Sequence, residues 1–453
     1  MKIPIRPPNF LATFQNNAER ALHIVELAQS EQEIDDTHFF HWEDLQYRTP
    51  PEGLSREEWW WALKFKRRVN YSKIPALCDQ HGVAFGYSMP DRLLKALYGI
   101  DVASGVYVGI PSEMEAESRP ASYEKHLLHS FEKESIASSQ LEGAVTTRQI
   151  AQNMIRSGRK PRNKSEQMIL NNFNAMRHIA ASREEKLTMD FIFDIHARLT
   201  CDTLDDPTAV GRLRSAAELV CVEDARDGSV LFTPPPAAEL RERMQELCAF
   251  ANESVLHEKK FRHPVLRAIL LHFWLSYTHP FVDGNGRTAR ALFYWAMLKQ
   301  GFWLFEFLAI SPFLVKAPAA YARAFLHTET DGSDVTYFIL HQVDVIQKAL
   351  DQLHQFIAKK SKDLADAKKE IRQLSSFNFR QQAAIVQALR NPQQELSVEG
   401  YRLICNVSRG TAWTDLVRLE EKGVFKREKQ GRKIIFVPVD NLENHLSKIT
   451  QAT

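Results

Sequence analysis

The sequence predicts a mainly α-helical protein with a small β-hairpin set into its middle and a winged helix-turn-helix near its C-terminus. Apolar residues recur at helical spacing along most of the chain. One stretch, ELVCVEDARDGSVLFTPPP, breaks that pattern with short β-favouring runs on either side of the turn residues Asp224 to Gly228. The final part, from about residue 377, gives three helical patterns followed by two β-like runs, Val424 to Arg427 and Lys433 to Val439, around KQGR.

With 453 residues and 44% hydrophobic content, the chain can bury more than one core. Four regions are expected: a helical N-terminal region over 1–115, a helical middle domain over 116–345, a connecting helix over 346–376 and the winged helix over 377–445. The 58 basic and 56 acidic residues nearly cancel, which excludes a surface built throughout for nucleic acid or anionic membrane. Cys78, Cys201, Cys221, Cys248 and Cys405 are scattered and never form CxxC, so neither a disulfide framework nor a zinc site is expected, and a reducing cytoplasm fits. The N-terminal MKIPIRPPNFLATFQNN lacks the apolar core of a signal peptide. The most apolar stretch, Ala291 to Ile310, is broken by Lys299, Gln300, Gly301 and Glu306, so a buried helix and its turn are expected rather than a membrane span.

In the N-terminal region Ser55 and Glu58 are spaced as a capping box before Trp59, Trp60 and Trp61. Three adjacent tryptophans cannot share one helix face, so at least one is expected to be exposed or to meet another domain. Pro234 to Pro236 close the central hairpin, and Ala237 to Asn252 resumes helical spacing. The polar stretch from Leu340 to Leu374 reads as a connecting helix, with too few clean heptads to require self-association, although a homodimer is compatible with it.

The chemistry is concentrated in HPFVDGNGRTAR, His279 to Arg290, a loop between an apolar helix over His263 to Tyr277 and another from Gly286 onward. Gly284 and Gly286 let the backbone approach an anion, and the amides from Gly284 to Arg287 open a helix whose N-terminus attracts negative charge. Arg287 and Arg290, three apart, are expected to reach the same side and to bind phosphate oxygens. Asp283 suits Mg²⁺ shared with phosphates, and His279 is the natural general base toward an incoming hydroxyl. Each piece alone is an ordinary turn residue or structural histidine, and only the ordered set is informative.

The segment resembles the Fic family signature HPFx[D/E]GNGRxxR and matches every specified position, with Ala289 where many members have glycine. HPVLRAILLHFWLSYTHPF resembles the family's entry helix, GRLR at Gly211 to Arg214 its preceding turn, and the hairpin ending FTPPP its substrate-binding flap. The resemblance implies a Fic-type helical core and transfer of AMP from ATP to a Ser, Thr or Tyr hydroxyl of a target protein or of the chain itself. It makes His279 the base, Asp283 the Mg²⁺ ligand, and Gly284, Asn285, Gly286, Arg287 and Arg290 the ATP-phosphate site. Tyr321 resembles in placement the residue that members set near the adenine, and is equally readable as a packing tyrosine.

Upstream, SIASSQLEG resembles the family's inhibitory motif [S/T]xxxE[G/N] through Ser138, Glu142 and Gly143. The resemblance implies that Glu142 pairs with Arg290 in place of the γ-phosphate, and that in some relatives the same glutamate supports removal of AMP. Other relatives transfer UMP, phosphocholine or phosphate. A different class of reading makes the protein a DNA-binding regulator whose Fic domain only senses nucleotide.

In the C-terminal module SVEGYRLICN and SRGTAWTDLVRLEEKG are the paired helices, with Ala412, Leu416 and Leu419 facing inward. Arg409, Thr414 and Arg418 are candidates to face a DNA groove, and KREKQGRK carries five basic residues against one acidic. Asp415, Glu420 and Glu421 on the same helix argue against phosphate, which leaves DNA binding and protein docking balanced.

Overall fold

The computed structural model describes residues 1–439 apart from 15–16, 30–33, 105–120, 225, 254–260, 374–376, 391–394 and 431–432, together with 442 and 446. The boundary expected at 115 and 116 lies outside the described residues, as does part of KQGR. The chain divides into two compact units, Met1–Leu353 and His354–Thr453.

The first unit opens with α1 (Phe10–Phe14), α2 (Ala18–Gln29), α3 (Trp42–Leu45) and α4 (Arg56–Arg68). The capping box forms: Ser55 Oγ accepts from the Glu58 amide, and the Glu58 carboxylate accepts from the Ser55 amide. Trp60 is fully buried in a small core with Ile24, Trp42, Leu45 and Leu63. Trp59 and Trp61 lie half-buried at its edges, so none of the three is left exposed; Phe10 covers Trp61 edge-on at 5.0 Å between ring centroids. The region expected to be helical also contains an antiparallel hairpin, β1 (Ser72–Cys78) and β2 (Ala84–Tyr87), whose Ile74, Leu77, Phe85 and Tyr87 enter the main core.

The helices that follow are α5 (Asp91–Ser104), α6 (Ala121–Leu141), α7 (Arg148–Ser157), α8 (Lys164–Ala181) and α9 (Met189–Thr200). The central hairpin is short: β3 (Val222–Glu223) pairs with β4 (Val230–Phe232), and the Gly228 amide closes the turn on the Asp224 carbonyl. Then come α10 (Leu240–Asn252), α11 (Pro264–Thr278), α12 (Asn285–Lys299), α13 (Ser311–Lys316), α14 (Pro318–Thr330) and α15 (Thr336–Gln373). α11 and α12 are buried around nearly their whole circumference, α12 with Arg287 and Arg290 among its buried residues. They pack on each other, while α8 and α9 surround α12 and α10 lies against α11. The site described below therefore stands on the two most enclosed helices.

A buried polar network fastens the N-terminal helices to the end of α14. Lys64 Nζ reaches Asp331 at 2.9 Å and Asp334 at 3.4 Å, and the Tyr337 hydroxyl donates to Asp331 at 2.7 Å. Mutual pairing makes these charges tolerable away from water.

The second unit contains α16 (Phe379–Arg390), β5 (Leu396–Ser397), α17 (Val398–Cys405), α18 (Arg409–Glu421), β6 (Phe425–Gln430) and β7 (Lys433–Pro438). The strands form an antiparallel sheet in the order β5-β7-β6, with β5 too short to be legible in sequence. Ala412, Leu416 and Leu419 face the core as expected. Asp415 does not stand on the outer face. It is buried, accepting from Asn378 Nδ2 at 2.6 Å and Arg380 Nε at 2.7 Å, because α16 and the residue before it supply donors across from it. Glu420 is likewise engaged by Arg427 of β6 at 3.0 Å.

Glu329, on the last turn of α14, has its carboxyl pushed up by burial from 4.5 to about 8. A carboxyl raised in the folded state favours folding while protonated, and that contribution falls away as pH rises from the unfolded value near 4.5 through about 8. Glu329→Gln should flatten the decline in denaturant midpoint across that window; an unchanged slope would show that Glu329 does not titrate there.

Candidate active site

His279 ends α11 in the left-handed region, with φ 48°, so the chain turns sharply out of the helix at this residue. Its Nδ1 lies 3.2 Å from the Ser276 carbonyl. A carbonyl can only accept, so Nδ1 carries the proton and Nε2 keeps its lone pair in the neutral ring. Burial lowers the pKa below 6.5, which holds the ring neutral near physiological pH. Arg214 fixes the turn from behind, donating from Nε to the His279 carbonyl at 2.9 Å and from Nη2 to the Pro235 carbonyl at 2.5 Å. One guanidinium thus ties the end of α11 to the base of the central hairpin.

The loop between α11 and α12 is stapled from inside. Asn285 is buried, its Oδ1 accepting from the Phe281 amide at 2.9 Å and its Nδ2 donating to the Phe281 carbonyl at 2.8 Å. Its side chain therefore shapes the loop, and only its backbone amide is available at the helix start. Gly284 is the N-cap with φ 84°, and no side chain caps α12. A Cβ at Gly284 would come within 2.7 Å of Thr200 Cγ2, so both the backbone conformation and the space require glycine. The first amides of α12 are left open to an external acceptor.

Asp283 is about half exposed, with its carboxylate accepting from the Gly284 amide at 2.6 Å and from Arg287 Nη2 at 3.1 Å. A single accessible carboxylate beside free amides is a donor set that suits Mg²⁺, which takes few protein ligands and completes its shell with water and phosphate.

The two arginines do not converge as expected. Arg287 is buried, with Nη1 on the Leu199 carbonyl at 3.0 Å and Nη2 on Asp283, one turn back on its own helix face. Arg290 points to α6: Nε donates to Ser138 Oγ at 2.9 Å, and Nη2 donates to the Ser138 carbonyl at 2.9 Å and to Glu142 Oε1 at 2.8 Å. A separation of three helical residues leaves the side chains on neighbouring but distinct bearings, and their partners draw them apart.

Glu142 follows the C-terminus of α6, and Gly143, at φ 90°, turns the chain away. A Cβ at Gly286 would meet Glu142 Oε1 at 2.2 Å, so the glutamate lies directly over the start of α12. Tyr321, on α14, is placed with its hydroxyl 2.8 Å from His272 Nε2 and its ring edge-on to Phe325; Arg290 and Ser276 also act on that hydroxyl, whose pKa burial pushes up to about 12.

Three contributors carry no sequence signal of their own. Glu134, two turns before Glu142 on α6, is buried and accepts from the Tyr294 hydroxyl at 2.8 Å and from the Ser311 amide at 3.0 Å, which fixes α6 beside α12 and α13. His272 lies beneath Tyr321. His196, a lone histidine on the apolar helix α9, contacts the loop itself: Nε2 is 2.9 Å from the Asp283 carbonyl and Nδ1 accepts from the Gly211 amide at 3.0 Å.

Gly286→Ala should destabilise the first unit, seen as a lower thermal midpoint, by the order of the roughly 3 kcal/mol typical of breaking a buried ion pair, because it expels Glu142 from Arg290. In a Glu142→Ala background the same substitution should cost clearly less, since the clashing carboxylate is gone. Equal costs in the two backgrounds would place the clash elsewhere.

Comparison with known proteins now bears on this geometry. Residues 186–297, which include His279 to Arg290, match the Fic/DOC family. Over 120 residues the chain is 35% identical to the protein adenylyltransferase Fic of Nematostella vectensis, covering 26% of this chain and 25% of that protein. Over 286 residues it is 28% identical to the protein adenylyltransferase Fic of Drosophila mojavensis, covering 62% of this chain and 51% of that protein. The chain thus spans from a quarter to about half the length of these two relatives. A Fic family protein from Desulfovibrio desulfuricans G20 superposes with a TM-score of 0.50 at 17% identity, covering 76% of this chain and 97% of that one. The last similarity shows the fold: a helical Fic-type core carrying a small hairpin.

Proposed function

We propose that the protein is a protein adenylyltransferase, moving AMP from ATP to a Ser, Thr or Tyr hydroxyl of a target protein or of itself, and that Glu142 restrains it. The single observation that carries this reading is the Glu142–Arg290 ion pair at 2.8 Å laid across the uncapped start of α12. A buried guanidinium needs an anionic partner, and a nucleotide phosphate is the natural alternative to the carboxylate. The match of residues 186–297 to the Fic/DOC family and the names of the relatives support the chemistry.

ATP phosphates would lie against the amides of Gly284, Asn285, Gly286 and Arg287 at the head of α12, with Arg290 released to bind the terminal phosphate. Mg²⁺ held by Asp283 would neutralise phosphate charge. The target would add its backbone to the hairpin of β3 and β4, which positions a hydroxyl without reading its sequence. His279 Nε2 takes the hydroxyl proton as the oxygen attacks the α-phosphorus; the bond to the β-phosphate breaks and pyrophosphate leaves. A second role for Glu142, orienting water toward a modified side chain, is part of the same proposal, so removal of AMP belongs to this reading. A cytoplasmic setting is part of the proposal, resting on the scatter of the five cysteines along the sequence.

With α-labelled ATP and Mg²⁺, Glu142→Gly should transfer at least tenfold more label than the parent, on the scale of one charge-assisted contact. Adding His279→Ala should abolish it. Absence of label in all three forms would exclude AMP transfer.

For the second unit the specific observation is the burial of Asp415 and the engagement of Glu420. Two of the three acidic side chains thought to oppose a phosphate backbone are occupied and Glu421 stays exposed, while Arg409, Thr414 and Arg418 are also exposed on α18. The unit is proposed to be a winged helix that binds duplex DNA through exposed residues of α18. Arg409→Ala with Arg418→Ala should weaken low-salt binding to a mixed-sequence duplex and reduce the salt slope by about two phosphate contacts. No binding by the parent at low salt would remove DNA and leave protein docking.

A further inference from the structure

The geometry points to His196 as the residue that sets the direction of the Asp283–Gly284 peptide and so creates the anion-binding start of α12. This rests on the reading that nucleotide phosphate binds there, and it gives that site a positioning residue outside the HPFVDGNGR segment.

His196 is fully buried on α9 and its protonation is fixed by its partners. Nδ1 accepts from the Gly211 amide at 3.0 Å, so Nε2 bears the hydrogen and donates to the Asp283 carbonyl at 2.9 Å. The ring also stacks on Phe281, with centroids 3.8 Å apart and planes 10° from parallel. The imidazole therefore meets the loop at both its entry and its exit.

In a trans peptide the carbonyl and the N–H point in opposite directions. Holding the Asp283 carbonyl inward on His196 turns the Gly284 N–H outward, where it lies 2.6 Å from the Asp283 carboxylate at the head of α12. A peptide that precedes glycine turns over easily, because glycine tolerates φ of either sign, and Gly284 stands at φ 84°. Rotation would bring the Asp283 carbonyl oxygen to the outer side. Lone pairs would then face the place where phosphate is bound, and the Gly284 N–H would leave the Asp283 carboxylate. Asn285 cannot prevent this, since its bonds go to Phe281 rather than to the 283–284 peptide. Among the described residues His196 makes the side-chain bond that holds this carbonyl.

Two substitutions separate the hydrogen bond from the packing. His196→Phe keeps a flat ring for the stack and removes both polar contacts. His196→Gln gives up the ring but restores an N–H where Nε2 stands. In the full chain carrying Glu142→Gly, calorimetric titration with MgATP should show His196→Phe binding roughly tenfold to a hundredfold more weakly, as for loss of a donor to a charged group. His196→Gln should recover most of that affinity even if its unfolding temperature is the lower of the two. A role in packing alone predicts the opposite order, and Gln weaker than Phe overturns the assignment. Crystal structures of the two variants give a reading independent of any nucleotide: the 283–284 peptide should be reversed with Phe and retained with Gln, and an unreversed peptide with Phe likewise overturns it. Failure of the Glu142→Gly parent to bind MgATP would count against the proposed function, while the peptide orientation would still decide the role of His196.

Discussion

A positive charge placed inside the helical core governs much of the architecture of the first unit. Arg290 is 2% exposed and cannot lose its proton, so the fold has to bring it oxygen atoms. α6 does so, with Ser138 giving a hydroxyl and a carbonyl and Glu142 a carboxylate. The position of α6 is fixed in turn by Glu134 against Tyr294 and Ser311. Removing the carboxylate without a replacement would leave a buried charge unpaired, at a cost of roughly 3 kcal/mol or more. Replacing it by phosphate would not. The contact that stabilises the resting chain and the contact that a nucleotide would make are thus alternatives at one guanidinium.

The surrounding loop shows a division of labour within a short motif. Some of its residues face outward with chemistry to offer: the free Nε2 of His279, the accessible carboxylate of Asp283, the open amides at the head of α12. Others are consumed in holding the shape, notably Asn285 on Phe281 and Arg287 on Leu199. Precision of this kind needs rigid support, and the loop has it because α11 and α12 are enclosed on nearly all sides. Arg214 extends that support to the hairpin, so the hairpin and His279 share one frame.

Much of this was legible in advance. The helical spacing, the break at the central hairpin, the capping box at Ser55 and Glu58, and the loop between two apolar helices all appear in the structure because each depends on residues close together in sequence. The β1–β2 hairpin was not legible. Its strands are held by Phe85 and Tyr87 entering a core made by distant helices. Asp415 misled for a related reason: it borders the inward face, three residues after Ala412 and four before Leu419, and only the approach of Asn378 and of Arg380 on α16 gives a buried carboxylate its donors there.

By itself the sequence determined which groups are present and at what spacing: a histidine, a carboxylate, two glycines and two arginines at the junction of two helices, and a serine and a glutamate one turn apart upstream. Tertiary structure decided their assignments. It sent Arg290 to Ser138 and Glu142 and Arg287 to Leu199, made Asn285 a staple, and brought His196 from α9 to the Asp283 carbonyl. The physical reason is one of range. Spacing along a helix fixes a side chain's bearing to within one face, whereas the partner of a buried polar group is chosen by whichever distant segment packs against that face.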